Sequence, residues 1–525
     1  MKPFFIILFL SLVFELQAQE TFYLVSFKNK DNTTHALDRP EEYLSAEAIA
    51  RRTKYSIAID STDLPVPQAN IDEVETTGAK IWYPSKWFNA VIVSEADSTA
   101  IAQLSIVDKV MNMSDKTNGG IERSEEIEWK RSNVNNQIQN ELIGIDHMHE
   151  MGYKGNGISI AVLDAGFSNY NNITYFSETD IIDTYDFYSK NATVEDDHHH
   201  GTEVMSTMAA VGDDYLGGTP EASYALYRTE NVAYESRIEE LMWLIASERA
   251  DSLGVDIIQS SLGYYDFDDV SQNYTHDDLD GRRAWITMAA NHAFTKGICV
   301  VVSAGNEGLT SWKRITFPAD SPFVLTVGSV DKNEVKAESS SIGPTADSRI
   351  KPDIMALGKA CYVVGTSSNV KTSNGTSFAA PQMASFVAGL LQSDANLTPS
   401  QIFQKIRNSG SRSTDITNDY GYGTANFEKS LTVTSIHDVN LLGDLKVYPN
   451  PVNGERFQME VPQKVVGKTL DIIWYDMSGR KLDKNKLHQV EKVTILNVPK
   501  KAQGNYLLLK VSADKETKTI KVKVN

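Results

Sequence analysis

Apolar and polar positions follow three rhythms along this chain, and each rhythm predicts a different kind of domain. From Thr21 to about Met113 the runs are short and change period. TFYLVSF, KIWYPS with FNAVIVS, and IVDKVMNM read as strands, whereas Pro40 to Tyr55, Gln68 to Gly78 and Asp97 to Leu104 read as helices. That alternation predicts a small α+β unit. The stretch from Ser114 to Asn136 is polar, contains Gly and Glu and has no apolar period, as an exposed linker does. From Gln137 to about Ser435, near-continuous apolar runs (ISIAVLD, ICVVVSAG, FVLTVGSV) alternate with helical stretches such as RIEELMWLIASERADS and SFAAPQMASFVAGLLQS. Strands that are apolar on both faces and separated by helices predict an α/β fold, a parallel sheet with helices on both faces. Beyond Ile436 the helical period disappears. The runs LKVYP, TLDIIWYD, VTILNV, NYLLLKV and TIKVKV, separated by turn residues, predict a small all-β sandwich.

The N-terminus has its own pattern. Lys2, the apolar run Phe4–Phe14 and the small residue ending Leu16-Gln17-Ala18 have the layout of an export signal cleaved before Gln19. The run is well short of the ~18 residues that cross a bilayer, and no cysteine follows it, so neither a membrane anchor nor a lipidated end is expected. No transmembrane segment is expected in the mature chain. These readings divide the 525 residues into a signal (1–18), an α+β unit (19–115), a linker (116–136), the α/β domain (137–435) and the β-sandwich (436–525). Charge supports the last boundary: residues 436–525 hold 16 basic and 10 acidic side chains, net +6, which leaves −25 of the total −19 on residues 1–435. An acidic chain lacks the footprint that phosphate neutralisation needs, which disfavours nucleic acid as a partner. Cys299 and Cys361 allow one disulfide at most, and both sit in apolar runs that suit buried thiols.

Four segments of the α/β domain carry candidate chemistry. Asp164 ends the run ISIAVLD, at the carboxyl edge of the sheet, where such folds build sites. His200 opens His-Gly-Thr at an expected helix start. Asn306 follows the run ICVVV within Ser303-Ala304-Gly305-Asn306-Glu307-Gly308. Ser377 lies in Asn374-Gly375-Thr376-Ser377-Phe378-Ala379-Ala380-Pro381, where a Gly-containing loop enters an apolar helix. A serine hydroxyl is a poor nucleophile until an imidazole takes its proton, and the imidazole needs a carboxylate to hold its tautomer. An amide such as Asn306, with the Ser377 backbone N–H at a helix N-terminus, can donate to the oxyanion. Each residue alone has an ordinary explanation as a turn former or helix cap. Their joint occurrence in the order Asp, His, Ser does not. A metallopeptidase is disfavoured because no His-Glu-x-x-His occurs. An α/β-hydrolase fails because Ser377 lacks the closing Gly of G-x-S-x-G, and the histidine would have to be His437 or His488.

From about Gly155 to Gly423 the chain resembles a subtilisin-like serine peptidase, on these four blocks together with Ser260-Ser261-Leu262-Gly263 and Phe317-Pro318-Ala319. The resemblance implies a secreted serine endopeptidase with Asp164, His200 and Ser377 as triad and Asn306 as oxyanion donor. It also implies that Ser261, Leu262 and Gly263, and Ser303, Ala304 and Gly305, are two extended segments that pair with substrate backbone. The stretch ending at Thr316 would approach the floor of the first specificity pocket. Three residues depart from the common pattern: Glu203 stands where many relatives have a histidine, Phe378 replaces a Met, and Gln382 replaces a His. The alternative from another class is a catalytically silent surface-binding protein on the same fold.

The flanking units carry resemblances of their own. The Thr21–Met113 unit resembles a subtilase propeptide, which implies a proenzyme that processes itself in or near Ser114 to Arg131. The tail motifs Tyr448-Pro449-Asn450-Pro451-Val452-Asn453-Gly454, Tyr475-Asp476-Met477-Ser478-Gly479-Arg480-Lys481 and Gly504-Asn505-Tyr506 resemble a type IX secretion C-terminal sorting domain. That implies passage through Sec, then across the outer membrane, with secretion machinery as partner. No cofactor is expected to be required. Calcium is common in this family, yet no D-x-[DN]-x-[DN]-G loop occurs, and pairs such as Asp196-Asp197 and Asp213-Asp214 are too generic to assign.

Overall fold

The structure is a computed structural model that describes residues 21–31, 33–113, 136–195 and 198–432, and in the tail 445–448, 450–452, 454, 456–462, 465–476, 481–499, 506–513 and 516–524. The expected export signal and all but Asn136 of the expected linker lie outside the described residues. The chain forms two compact units, Met1–Val433 and Thr434–Asn525.

At the centre of the first unit is a seven-stranded sheet in which all ladder pairs are parallel, ordered 354–357, 325–330, 299–303, 257–260, 159–164, 223–228, 180–186. Side chains alternate between two cores, as a strand buried on both faces requires. Ile160, Val162, Tyr224 and Leu226 face the helices His200–Ala209 and Thr376–Ser393 on one side. Ala161, Leu163, Ala225 and Tyr227 face Arg237–Leu253 and Trp285–Thr295 on the other. The strand Ser159–Asp164 comes first in the chain and lies inside the sheet. The next two strands are laid down to one side of it, and the strand Ile257–Ser260 and its successors to the other. The carboxyl ends of 159–164 and 257–260 therefore flank the crevice where the strand order reverses, the place at which such sheets bind ligands.

Residues 22–113 form a four-stranded antiparallel sheet ordered 80–85, 90–94, 22–27, 107–112. One face buries Val25, Phe27, Val91 and Val93 under Ile71, Val74 and Ile101 of its own helices. The other face places Leu24, Ala90 and Ile92 in the core that includes Arg237–Leu253 and Trp285–Thr295. Beside that apolar seam lies a buried charge network. Arg51 donates to the carbonyls of Asp251 (3.1 Å), Val255 (2.6 Å) and Lys296 (3.1 Å), so its guanidinium sits at the carboxyl ends of both helices, where the dipoles favour a cation. The fully buried Asp251 carboxylate meets Arg51 at 2.7 Å, Arg52 at 2.9 Å and Lys86 at 3.0 Å. Burial opposes its ionisation, but Lys86, Arg52 and Arg51 together hold the Asp251 carboxyl well below the usual carboxylate range. Glu248, one helical turn earlier, accepts from Ser85 Oγ (2.6 Å) and from the backbone N–H groups of Lys86 (2.8 Å) and Trp87 (3.1 Å).

The second unit is a β-sandwich. A three-stranded sheet (446–448, 456–460, 493–497) and a four-stranded sheet (481–487, 470–476, 506–513, 516–523) enclose Phe457, Met459, Leu470, Ile472, Trp474, Leu507 and Leu509. No helix among the described residues is long and apolar enough to cross a membrane.

Removing one member of a buried ion network leaves the others uncompensated, at a cost of about 3–5 kcal/mol. Asp251→Asn should lower the stability of the uncut chain by that amount in urea unfolding, and a loss below about 1 kcal/mol would contradict the role given to the network.

Candidate active site

Asp164 is the last residue of its strand and is fully buried, so its carboxylate must find donors. Oδ1 accepts from the Ala165 N–H at 2.8 Å and faces Nδ1 of His200 at 2.7 Å. His200 opens the helix His200–Ala209, as its His-Gly-Thr motif leads one to expect. The helix comes this close because residue 201 has no side chain: a Cβ there would lie 2.5 Å from the Gly166 carbonyl oxygen and 3.0 Å from Cβ of Asp164. Gly201 N–H donates to Gly166 O at 3.0 Å and Thr202 Oγ1 donates to Ser168 O at 2.9 Å, which pins the helix start to the loop after Asp164. With Nδ1 engaged, Nε2 is left as the proton acceptor. Burial opposes charging of the imidazole, but the charge and hydrogen bond of Asp164, joined by Glu203 and Glu230, prevail and push His200 up to about 9. Its basic form grows as pH rises through that value.

Ser377 is the second residue of the helix Thr376–Ser393 and is 6% exposed. Gly375 turns the chain into this helix at φ 149° and ψ 153°, a conformation that only glycine adopts readily. Pro381 has no N–H to offer the carbonyl four residues earlier, which is that of Ser377. That carbonyl instead accepts from Ser261 Oγ at 2.8 Å, and Ser261 Oγ accepts from Gln259 Nε2 at 2.7 Å. The nucleophile candidate is thereby tied to the end of the strand Ile257–Ser260, across the crevice from Asp164. Ser377 Oγ makes a long contact, 3.4 Å, to the Ser261 carbonyl and no hydrogen bond to His200. The His200 ring centroid lies 5.9 Å from that of Phe378, the residue after Ser377. Such bonds are often loose before substrate closes the site.

Asn306 follows the strand Cys299–Ser303 and is exposed. Its Oδ1 accepts from both the N–H (2.9 Å) and Oγ1 (3.1 Å) of Thr376. That fixes the amide and leaves Nδ2 as the donor. A Cβ on Gly375 would lie 3.5 Å from this Nδ2, so the amide rests against the turn that leads into Ser377. The first N–H groups of a helix have no intrahelical partner, and the Ser377 N–H is one of them. Thr376, Gln259 and Pro381, which hold this geometry, were not apparent as functional in the sequence. Only their through-space partners give them meaning.

The two segments expected to pair with substrate differ in how far their backbone is already engaged. The backbone groups of Leu262 and Gly263 have no hydrogen-bond partner among the described residues, whereas Ala304 N–H donates to Val327 O (2.9 Å), and Ala304 O and Gly305 O accept from Thr316 N–H (3.1 Å) and Ser341 N–H (3.0 Å). The Ala304 backbone and the Gly305 carbonyl are thus already engaged within the domain. Thr316 stands between the segments: a Cβ at Gly263 would lie 2.1 Å from its Oγ1, and one at Gly305 2.9 Å from its side chain. Cys299 and Cys361 are both free and buried. Asp214 accepts from Tyr175 Oη at 2.6 Å, Asp196-Asp197 lies outside the described residues, and among the described residues no group of three or more His, Cys, Asp or Glu gathers to hold a metal ion.

A carboxylate-held imidazole, a serine at a helix start and a side-chain amide next to the turn that leads into it are the groups that acyl transfer by a serine hydrolase calls for, here on a parallel α/β sheet. The chain belongs to the Subtilase family (Peptidase S8), whose model matches residues 155–423. Residues 22–131 match the Peptidase S8 propeptide domain of Bacteroidota, and residues 446–525 the Secretion system C-terminal sorting domain. Subtilisin DY of Bacillus licheniformis is 29% identical over 291 residues, covering 54% of this chain and 93% of that protein. Serine protease AprX of Bacillus subtilis (strain 168) is 30% identical over 308 residues, covering 53% of this chain and 66% of the relative. The crystal structure of MycP1 from the ESX-1 type VII secretion system aligns at TM-score 0.46 and 21% identity over 56% of this chain and 85% of that one. The protein is a secreted serine endopeptidase made as a proenzyme, and its sorting domain directs it across the outer membrane to the cell surface or beyond.

Proposed function

We propose that Ser377 is the nucleophile of this peptidase, His200 its general base and then acid, Asp164 the carboxylate that orients His200, and Asn306 the side-chain donor to the oxyanion. As Ser377 Oγ bonds to the carbonyl carbon of a peptide, its proton passes to Nε2 of His200. The carbonyl oxygen, now negative, accepts from Asn306 Nδ2 and the Ser377 N–H. The imidazolium gives its proton to the leaving nitrogen as the C–N bond breaks, which leaves an acyl-enzyme. Water repeats the sequence and frees the acid. Every step uses groups of the chain and water, with no cofactor and no calcium in any of them. The observation that carries the reading is the 2.7 Å bond between Asp164 and His200 at the same sheet edge to which Ser261 ties Ser377.

The substrate would be a protein segment that lies extended along Ser261–Gly263, with the side chain before the scissile bond entering between Gly263 and the Ser303–Gly305 segment. With Thr316 filling that gap, the pocket suits a small side chain. We also infer that the working enzyme is close to residues 137–435, with 19–115 acting as the maturation unit, cut by the enzyme itself, and 436–525 removed on export.

Two outcomes test this reading. Ser377→Ala should accumulate as the longer, uncut form on a gel, and processing at the normal rate would exclude self-cleavage by Ser377. Thr316→Gly should raise kcat/KM for peptides with Leu or Phe before the cut, relative to Ala, by about 10–100-fold, the range a hydrophobic pocket gives. An unchanged preference would remove Thr316 from the pocket.

A further inference from the structure

Glu203 lies one helical turn after His200, on the same helix face. Its side chain is only 4% exposed, and a charge buried so deeply needs a partner. The partner comes from the antiparallel hairpin of strands Cys361–Gly365 and Asn369–Ser373: Lys371 Nζ lies 2.9 Å from Glu203 Oε1, and His199 Nε2 is farther off at 3.8 Å. The same hairpin is fastened to the His200 helix again where Val364 N–H donates to Ser206 Oγ (2.9 Å), and to the loop after Asp164 where Asn169 Nδ2 donates to Thr366 O (2.7 Å). Its second strand runs directly into Asn374–Thr376 and Ser377. The Glu203–Lys371 pair therefore bridges the element that carries the base and the element that leads to the nucleophile.

We propose that Glu203 and Lys371 are positioning residues whose opposed charges set the pH at which His200 becomes a base, Glu203 favouring the proton on the imidazole and Lys371 opposing it. The proposal rests on the reading of His200 as the base of the site. Among the described residues, the charged and titratable groups that bear on His200 are Asp164 at 2.7 Å, Glu203 on the same helix face, Glu230 through its charge, His198 with its ring centroid 6.3 Å away, His199 next to it in the chain, and Lys371 through Glu203. Asp164 is needed for orientation, whereas the pair at Glu203 can vary without dismantling the triad. The neutral imidazole is the active form, so a group that stabilises the imidazolium moves the rising limb of activity to higher pH, and a group that destabilises it moves the limb to lower pH.

The test is the pH profile of kcat/KM of the processed enzyme on one peptide, for wild type, Glu203→Gln, Lys371→Met and Lys371→Arg. Glu203→Gln should move the limb down by about half a unit to one unit, a gain of about three- to tenfold at a pH on the limb, with the high-pH plateau retained. Lys371→Met should move it up, and Lys371→Arg, which keeps the charge, should restore it. A folded Glu203→Gln enzyme whose limb coincides with wild type overturns the proposal alone, as does a Lys371→Met limb that stays in place or moves down. A wild type with no turnover at any pH overturns it together with the reading of His200 and Ser377.

Discussion

A carboxylate sealed at the end of a buried strand has few ways to be tolerated, and at Asp164 the solution organises the site. The ion needs hydrogen bonds because the interior around it replaces none of the water it has lost. One comes from the Ala165 N–H and the other from His200, and the second can form only if a whole helix is brought against the strand end. That approach is the reason residue 201 has no side chain and Thr202 turns back to Ser168. The imidazole then has one nitrogen committed and one free, which is the tautomer a base requires. On the opposite lip of the crevice a missing hydrogen bond does the corresponding job: Pro381 frees the Ser377 carbonyl, and Ser261 captures it.

The same rule about buried charge governs the seam between residues 22–113 and the large sheet. Three cations from the small unit converge on Asp251, and one of them, Arg51, also satisfies carbonyls at the ends of two helices. Helices that pack on a parallel sheet end at the amino edge, where the next strand begins, as Gly254 and Val255 lead here into Ile257. The network therefore grips the edge opposite to Asp164 and Ser377. Apolar contact through Leu24, Ala90 and Ile92 supplies area, while the charges fix one orientation.

Much of this was legible before any coordinates. The strand runs ISIAVLD, ICVVVSAG and FVLTVGSV fall where the sheet has them because strands buried on both faces leave continuous apolar stretches. KIWYPS is a strand from end to end, and the helix expected over Pro40 to Tyr55 is instead a short 3₁₀ turn at Pro40–Glu42 followed by Ala46–Lys54, because Ser45 caps a fresh start by accepting from Ala48 N–H. Asp164, His200, Asn306 and Ser377 could be named because each sits at a strand end or helix start with a short local motif. What stayed hidden depends on distant pairing. Nothing local in Lys371 points to Glu203, nothing in Arg51 to the carbonyls of Val255 and Lys296, and the engagement of the Ala304 and Gly305 backbone appears only once Thr316, Val327 and Ser341 are folded around it.

The central claim is that Ser377 is an activated nucleophile because His200, held by Asp164, takes its proton. A fluorophosphonate reacts with such a serine and with few others. Treatment of the processed protein with this reagent, followed by peptide mapping, should find a single adduct on Ser377 that is lost in His200→Ala. No adduct once the N-terminal unit is gone, or an adduct elsewhere in the chain, would contradict the account.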